Sequence, residues 1–335
     1  MNYFKGKRIL ITGAGGFIAS HLCRNLFREG ADIYILVKYN SVIDHTRLVD
    51  IWNHITPIEA DIRNADSLKQ LNAFKPEIIY HFAAYNHVGD SFTHISEAID
   101  VNGKGTLNLL ESYENYKRFI YISSSEIYGH QSHVPFKEDA LPFPISPYAI
   151  GKYSGELYAR MKWHVFKKPI TILRPFNAFG PYQSARAIIP ELIIKCLKGE
   201  DINTTPGQQT RNFNYIDNLI EGFKLATINE ESIGEIINLG TDHEISIADL
   251  AHSIHKLSKS KSKLNIGKLS YRPTEIWRMA ADSHKAHSLL GWKSQVSLEK
   301  GLVTTIEWYK KYLNVFNNPT SSLLTLCQIQ APKNG

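Results

Sequence analysis

The 335-residue chain has only three cysteines, and Cys23, Cys196 and Cys327 fall at no metal-binding spacing. An odd number cannot all pair, so neither a disulfide scaffold nor a metal site is expected, and a reduced, cytoplasmic protein is. Also missing is any apolar stretch approaching the ~20 residues of a membrane-spanning helix, so no membrane partner is expected. Met1 to Lys7 are polar and run straight into the apolar "RILIT", which argues against a signal peptide. There is no internal repeat and no low-complexity segment. Charge of one sign is scarce as well. Against 32 acidic residues stand 38 Lys and Arg, a net +6 spread along the chain. Such scatter argues against a nucleic-acid face and leaves room for a basic cleft around an anionic ligand.

What is present is a rhythm. Apolar runs recur at 8–12, 33–37, 55–60, 77–82, 118–123, 170–174 and 235–240, with helix-like stretches between them. Continuous apolar character suits strands covered on both faces, and alternation with helices predicts a doubly wound parallel sheet, an α/β Rossmann domain. The expected division is a dinucleotide-binding domain over 1–175 that carries the catalytic residues. A smaller C-terminal α/β substrate-binding lobe follows over 176–315, with 235–240 returning to the sheet, and a tail over 316–335.

The first run opens into "LITGAGGFIASHL". Gly13, Gly15 and Gly16 permit a tight turn and a close backbone approach to a pyrophosphate, which would sit on the amides opening the next helix at Phe17 and Ile18. An acid that would hold the ribose 2′-hydroxyl of NAD is absent after the second run, where "LVKYNS" stands instead. Lys38, Asn40 and Ser41 suit a 2′-phosphate, so NADP is expected, with NAD as the alternative. Asp61 and Ile62 of "ADI" are placed beside the adenine, and Ala83 and Ala84 of "HFAA" behind the dinucleotide.

Two further stretches carry chemistry. The fifth run ends in "YISSSEIYGH", a hydroxyl cluster and an acid at the edge of a sheet. Later, "SPYAIGKYSGE" sets Tyr148 and Lys152 four apart, hence on one helical face. A lysine beside a phenol lowers the phenol's pKa, which would let Tyr148 exchange a proton near neutrality.

Together with "VNGKGT", "RPFNAFGP", "TRNFNYIDN" and "YRPTEIWRMAAD", these stretches resemble the extended short-chain dehydrogenase/reductase superfamily, in its nucleotide-sugar epimerase/dehydratase branch. The resemblance covers roughly 7–312, with Ala19 in place of the third glycine. "YNS" and "RPFNAFGPYQSARAIIP" look closest to the 4,6-dehydratases of the legionaminic-acid-pathway and GDP-mannose type.

The resemblance implies roles. Ser124 hydrogen-bonds the sugar's 4-hydroxyl, Tyr148 aided by Lys152 is the base for its oxidation, Glu126 removes the C5 proton, and Ser125 assists departure of the 6-hydroxyl. Asn177, Arg186, Arg211 and Arg272 are implied as contacts to the substrate's diphosphate. A homodimer is implied, built from helices near 95–116 and 148–165. A 4-epimerase would need Ser124, Tyr148 and Lys152 but not Glu126. A UDP-glucuronate-type decarboxylase shares the Ser-Glu pair, and a non-catalytic dinucleotide-binding sensor keeps the fold alone.

Overall fold

A computed structural model describes residues 2–39, 41, 46–271 and 275–317. Asn40, Arg272 and the expected tail from 318 onward lie outside the described residues.

Each of the seven apolar runs forms a strand. They are β1 (Arg8–Thr12), β2 (Asp32–Val37), β3 (Thr56–Glu59), β4 (Ile78–His81), β5 (Arg118–Ile122), β6 (Ile170–Pro175) and β7 (Ile236–Leu239). They make one parallel sheet in the order β7-β6-β5-β4-β1-β2-β3. β7 pairs with β6, with Ile237 opposite Leu173, so the chain does return to the sheet late. Side chains alternate between two covered faces. On β1, Ile9 and Ile11 pack with Leu22 and Leu26 on one side, while Leu10 packs with Ile79 and Phe119 on the other. Strand order reverses between β1 and β4, and a crevice opens at the strands' carboxyl ends there.

Helices α1 (Phe17–Arg28), α2 (Gly105–Ser112) and α3 (Pro147–Phe166) surround this crevice. α3 starts sharply because the Ser146 hydroxyl accepts the Ala149 amide at 3.1 Å and Pro147 occupies the first helical turn. The helix expected over 95–116 differs from expectation. Ile95–Ile99 is α-helical, Asp100–Lys104 is a π-helical turn, and α2 ends at Ser112. Close packing accounts for the wide turn. A Cβ on Gly155 of α3 would lie 2.7 Å from the Asn102 carbonyl and 2.5 Å from the Tyr121 hydroxyl, so two backbones meet where the turn widens.

After β6, β7 apart, the strands shrink to pairs of residues. Thr210–Arg211 lies between Ile245–Ser246 and Arg278–Met279, and these ribbons carry Arg211 to the crevice and Met279 beneath Ser125. Longer helices α4 (Ile188–Lys198), α5 (Ile216–Ile228), α6 (Ile247–Leu257) and α7 (Leu298–Asn317) pack around them. α7 extends to Asn317, two residues into the segment expected as tail. Among the described residues no helix is long and apolar enough to cross a membrane.

Candidate active site

The turn after β1 is shaped for close approach. Gly13 sits at φ +68°, and a Cβ there would fall 2.7 Å from the Ala83 amide nitrogen. That amide donates to the Thr12 hydroxyl at 3.0 Å, and the same hydroxyl bonds His81 Nδ1 at 2.7 Å. His81 Nε2 bonds Thr106 at 3.0 Å, so the fully buried imidazole braces the turn from beneath. Burial, then the nearby Lys152, pushes its pKa down to about 3. Gly16 caps α1 with no side-chain hydrogen bond, and the first turn holds no acid. The amides and the positive end of the helix are therefore left for an anion, which is what a pyrophosphate needs.

A cleft of about 580 Å³ lies above this turn, lined by Gly13, Gly16, Phe17, Ile18 and Ala84 among others. Gly15 turns its carbonyl to Arg47, which donates at 3.0 Å. The remaining expected cofactor residues lie toward the β2–β3 edge. Lys38 is exposed just beyond β2, and the Ser41 amide donates to its carbonyl at 3.1 Å. Asp61 is gripped by Arg63 through both carboxylate oxygens, which with Lys38 holds it below the usual carboxylate range. Ile62 follows on the same edge. It is buried against Gly105, with its carbonyl taken by Asn108 at 2.9 Å, because α2 packs directly over it.

Across the cleft, β5 ends in the hydroxyl cluster. Ser124 caps a 3₁₀ turn, Ser125–Tyr128, by accepting the Glu126 amide at 3.2 Å, and its hydroxyl also bonds Tyr148. Ser125 is buried and donates to Met279 Sδ at 3.3 Å. Burial raises the Glu126 carboxyl and Arg211 opposes this, while Glu275 adds to it. A carboxyl pushed toward neutrality can both take and return a proton. Tyr148 and Lys152 reach the same cleft from α3. Their proton balance differs from the sequence expectation. Burial pushes Tyr148 up to about 12, with Ser124 opposing, and pulls Lys152 down to about 7. Desolvation disfavours both charged forms, and it outweighs any lowering of the phenol by the lysine.

On the substrate side, Arg211 donates to Glu275 Oε1 at 2.7 Å and to the Ile276 carbonyl at 2.6 Å. Asn177 faces the cleft and contacts the Asn212 carbonyl at 3.4 Å. Arg186 makes a two-pronged pair with Asp90, at 2.8 and 2.9 Å, across the mouth.

Several residues here escaped the sequence reading. Asn102 ties the loop after β4 to α3, accepting the Tyr85 amide at 2.7 Å and donating to the Tyr148 carbonyl at 3.4 Å. Glu275 is a second acid on the cleft wall, and Glu156 and Arg174 form a buried pair at 2.5 Å behind it. Glu156 could have been found: it follows Tyr148 and Lys152 at intervals of four on the same helical face.

A parallel sheet with this glycine turn, and a serine, a tyrosine and a lysine converging on one cleft, is the architecture of the extended short-chain dehydrogenases/reductases. The GDP-mannose 4,6-dehydratase family model matches residues 10–305, and the chain belongs to that family. It is 33% identical over 336 residues to the dTDP-D-glucose 4,6-dehydratase of Mus musculus, covering 95% of this chain and 92% of that one. Among solved structures, an epimerase of Methanothermobacter thermautotrophicus superposes with TM-score 0.87 at 28% identity, covering 94% of this chain and 96% of the other. The dTDP-glucose 4,6-dehydratase of Streptomyces venezuelae, solved with NAD, gives 0.85 at 26% identity, covering 92% and 98%.

Proposed function

We propose that the protein is a nucleotide-sugar 4,6-dehydratase, a lyase that converts a nucleotide-linked hexose or N-acetylhexosamine into its 4-keto-6-deoxy form. The observation that carries this reading is Glu126, a buried carboxyl in the cleft that holds Ser124 and Tyr148, next to Arg211. Oxidation at C4 needs only the serine, tyrosine and lysine. An additional buried acid has work when a proton is to be taken from carbon.

The residues present fit a nicotinamide dinucleotide: Gly13, Gly16, Phe17 and Ile18 offer the pyrophosphate cradle, and Ala84 lines the same cleft. Such a cofactor supplies a hydride acceptor and donor at the sugar. Tyr148, in the minor phenolate form that an ammonium at Lys152 favours, takes the 4-hydroxyl proton through or beside Ser124. The resulting ketone acidifies C5–H; Glu126 takes that proton and gives it to the 6-hydroxyl, which leaves as water, and a proton then returns to C5 as hydride returns to C6. Ser125, whose hydroxyl is directed at Met279, assists by shaping the turn that aims Glu126. Asn177, Arg186 and Arg211 receive the diphosphate, Arg being suited to bidentate contact with phosphate.

We propose NADP over NAD, because Lys38 rather than an acid follows β2, with Arg63 nearby at Asp61. The chain divides into the dinucleotide-binding part and the smaller substrate lobe near residue 175, acts in the cytoplasm, and pairs as a homodimer. Support for the pairing is an exposed apolar stripe, Ile150 and Leu157 on α3 and Leu107 on α2. Light scattering should give the dimer mass at micromolar concentration, and a monomer mass would remove the pairing. The function itself is tested with a panel of nucleotide-linked sugars and mass spectrometry. Loss of one water from a substrate supports the reading, and isomer formation without water loss overturns it in favour of an epimerase.

A further inference from the structure

Behind the cleft floor lies a buried charge network that the chemistry above does not use. Glu156 on α3 and Arg174 on β6 are 0% and 1% exposed. Arg174 donates from Nη2 to Glu156 Oε1 at 2.5 Å and from Nε to Oε2 at 3.1 Å. Ser123, at the end of β5, donates to the same Oε2 at 2.6 Å. On its other side Arg174 Nη1 donates to the Tyr128 hydroxyl at 2.7 Å, and Tyr128 donates to Asn238 on β7 at 2.7 Å. The network therefore joins α3, β6, β7, the residue before Ser124 and the turn that carries Glu126.

Stability gives no reason for such a pair, since apolar side chains of similar volume often do as well in a core. Its location does. Lys152 precedes Glu156 by one helical turn, on the same face of α3. The groups around the Lys152 amine come from several elements. The Tyr121 ring of β5 lies with its centroid 4.9 Å from Nζ, and His81 faces it from β4. Tyr148 precedes it on α3, and Glu126 lies beyond Tyr148 on the 3₁₀ turn. Burial leaves Tyr121 and His81 uncharged near neutrality. Against the burial that favours a neutral lysine, Glu156 is the charge that favours the ammonium.

We propose that Glu156, clamped by Arg174 and Ser123, is a positioning residue that holds a buried carboxylate one helical turn from Lys152 and sets the end of β5 that bears Ser124. Its catalytic meaning rests on the dehydratase reading, but its first readout does not. In full-length protein with ¹³C-labelled lysine, the Lys152 signal is assigned by its loss in Lys152→Arg and titrated by NMR without any nucleotide sugar. Glu156→Gln should lower the Lys152 midpoint by roughly one pH unit, the scale of a nearby opposite charge. Because that change strands the Arg174 guanidinium, the double variant Glu156→Gln, Arg174→Gln is titrated as well, and circular dichroism establishes folding. The same displacement should appear in the acid limb of kcat/KM for water loss. An unmoved Lys152 midpoint in a folded variant overturns the proposal. A moved midpoint in a protein that dehydrates no sugar supports the Glu156–Lys152 link while refuting the dehydratase reading.

Discussion

Glu126→Gln separates the two halves of the proposed reaction. The substitution keeps the volume and removes the carboxylate, and the Glu126 amide that caps the turn through Ser124 is untouched. Arg211 retains Glu275 as its ion-pair partner, so no buried guanidinium is stranded and stability should change by about 1 kcal/mol or less. Ser124, Tyr148 and Lys152 are intact, so substrate-dependent change in nicotinamide absorbance should still develop on mixing. Exchange of the C5 hydrogen with solvent deuterium should vanish, and water loss with it. Losing a positioned general base costs about 10²–10⁴-fold, which is about 3–5 kcal/mol of barrier. Tyr148→Phe provides the contrast, since it should suppress even the absorbance change. Stopped-flow absorbance and NMR of the recovered sugar in deuterated buffer read both steps. If Glu126→Gln dehydrates its substrate within threefold (about 0.7 kcal/mol) of the parent rate, the carboxyl is not the base and the reasoning fails.

Further expectations concern the cofactor, the packing and the response to acid. Lys38→Asp should weaken NADP binding and leave or improve NAD binding in calorimetric titrations; equal loss of both would contradict the 2′-phosphate contact. Gly155→Ala places a methyl 2.5 Å from the Tyr121 hydroxyl and 2.7 Å from the Asn102 carbonyl, and should destabilise by about 1–3 kcal/mol in denaturant unfolding, with no loss expected if the seam were loose. Burial holds His21 at about 4 in the fold against 6.5 when unfolded. The unfolded state therefore binds the extra proton first, and stability present above pH 6.5 falls as pH drops toward 4, by about 3 kcal/mol for this group. His21→Gln should flatten the fall in unfolding midpoint over that range relative to the parent, and an unchanged slope would refute this.

The sheet was readable because its central strands, β1, β4, β5 and β6, are buried on both faces, and a run such as Phe119 to Ile122 has little else it can become. The glycine turn and the Tyr148–Lys152 spacing were readable because their chemistry is local in sequence. The π-helical turn was not, since it follows from glycines 151 and 155 on a different helix. Nor was the Arg211–Glu275 pair, whose members stand 64 residues apart and meet only through the register of two-residue ribbons. The phenol's pKa was misjudged for a related reason. Sequence shows a lysine one turn away but not how much water either group loses.

α3 leaves little of its surface uncommitted. Lys152 and Tyr148 face the cleft, Gly151 and Gly155 meet the π-helical turn, Glu156 and Ala159 are buried, and Ile150 and Leu157 face outward as an apolar stripe. A helix on a protein surface ordinarily shows drift on its solvent side at every turn. Here random mutagenesis should find intolerant positions at most turns from 147 to 159, with acceptance at the exposed Ser154 and again at Arg160 and His164. The variation permitted to this segment would then look less like a surface helix than like a rod fixed along most of its length.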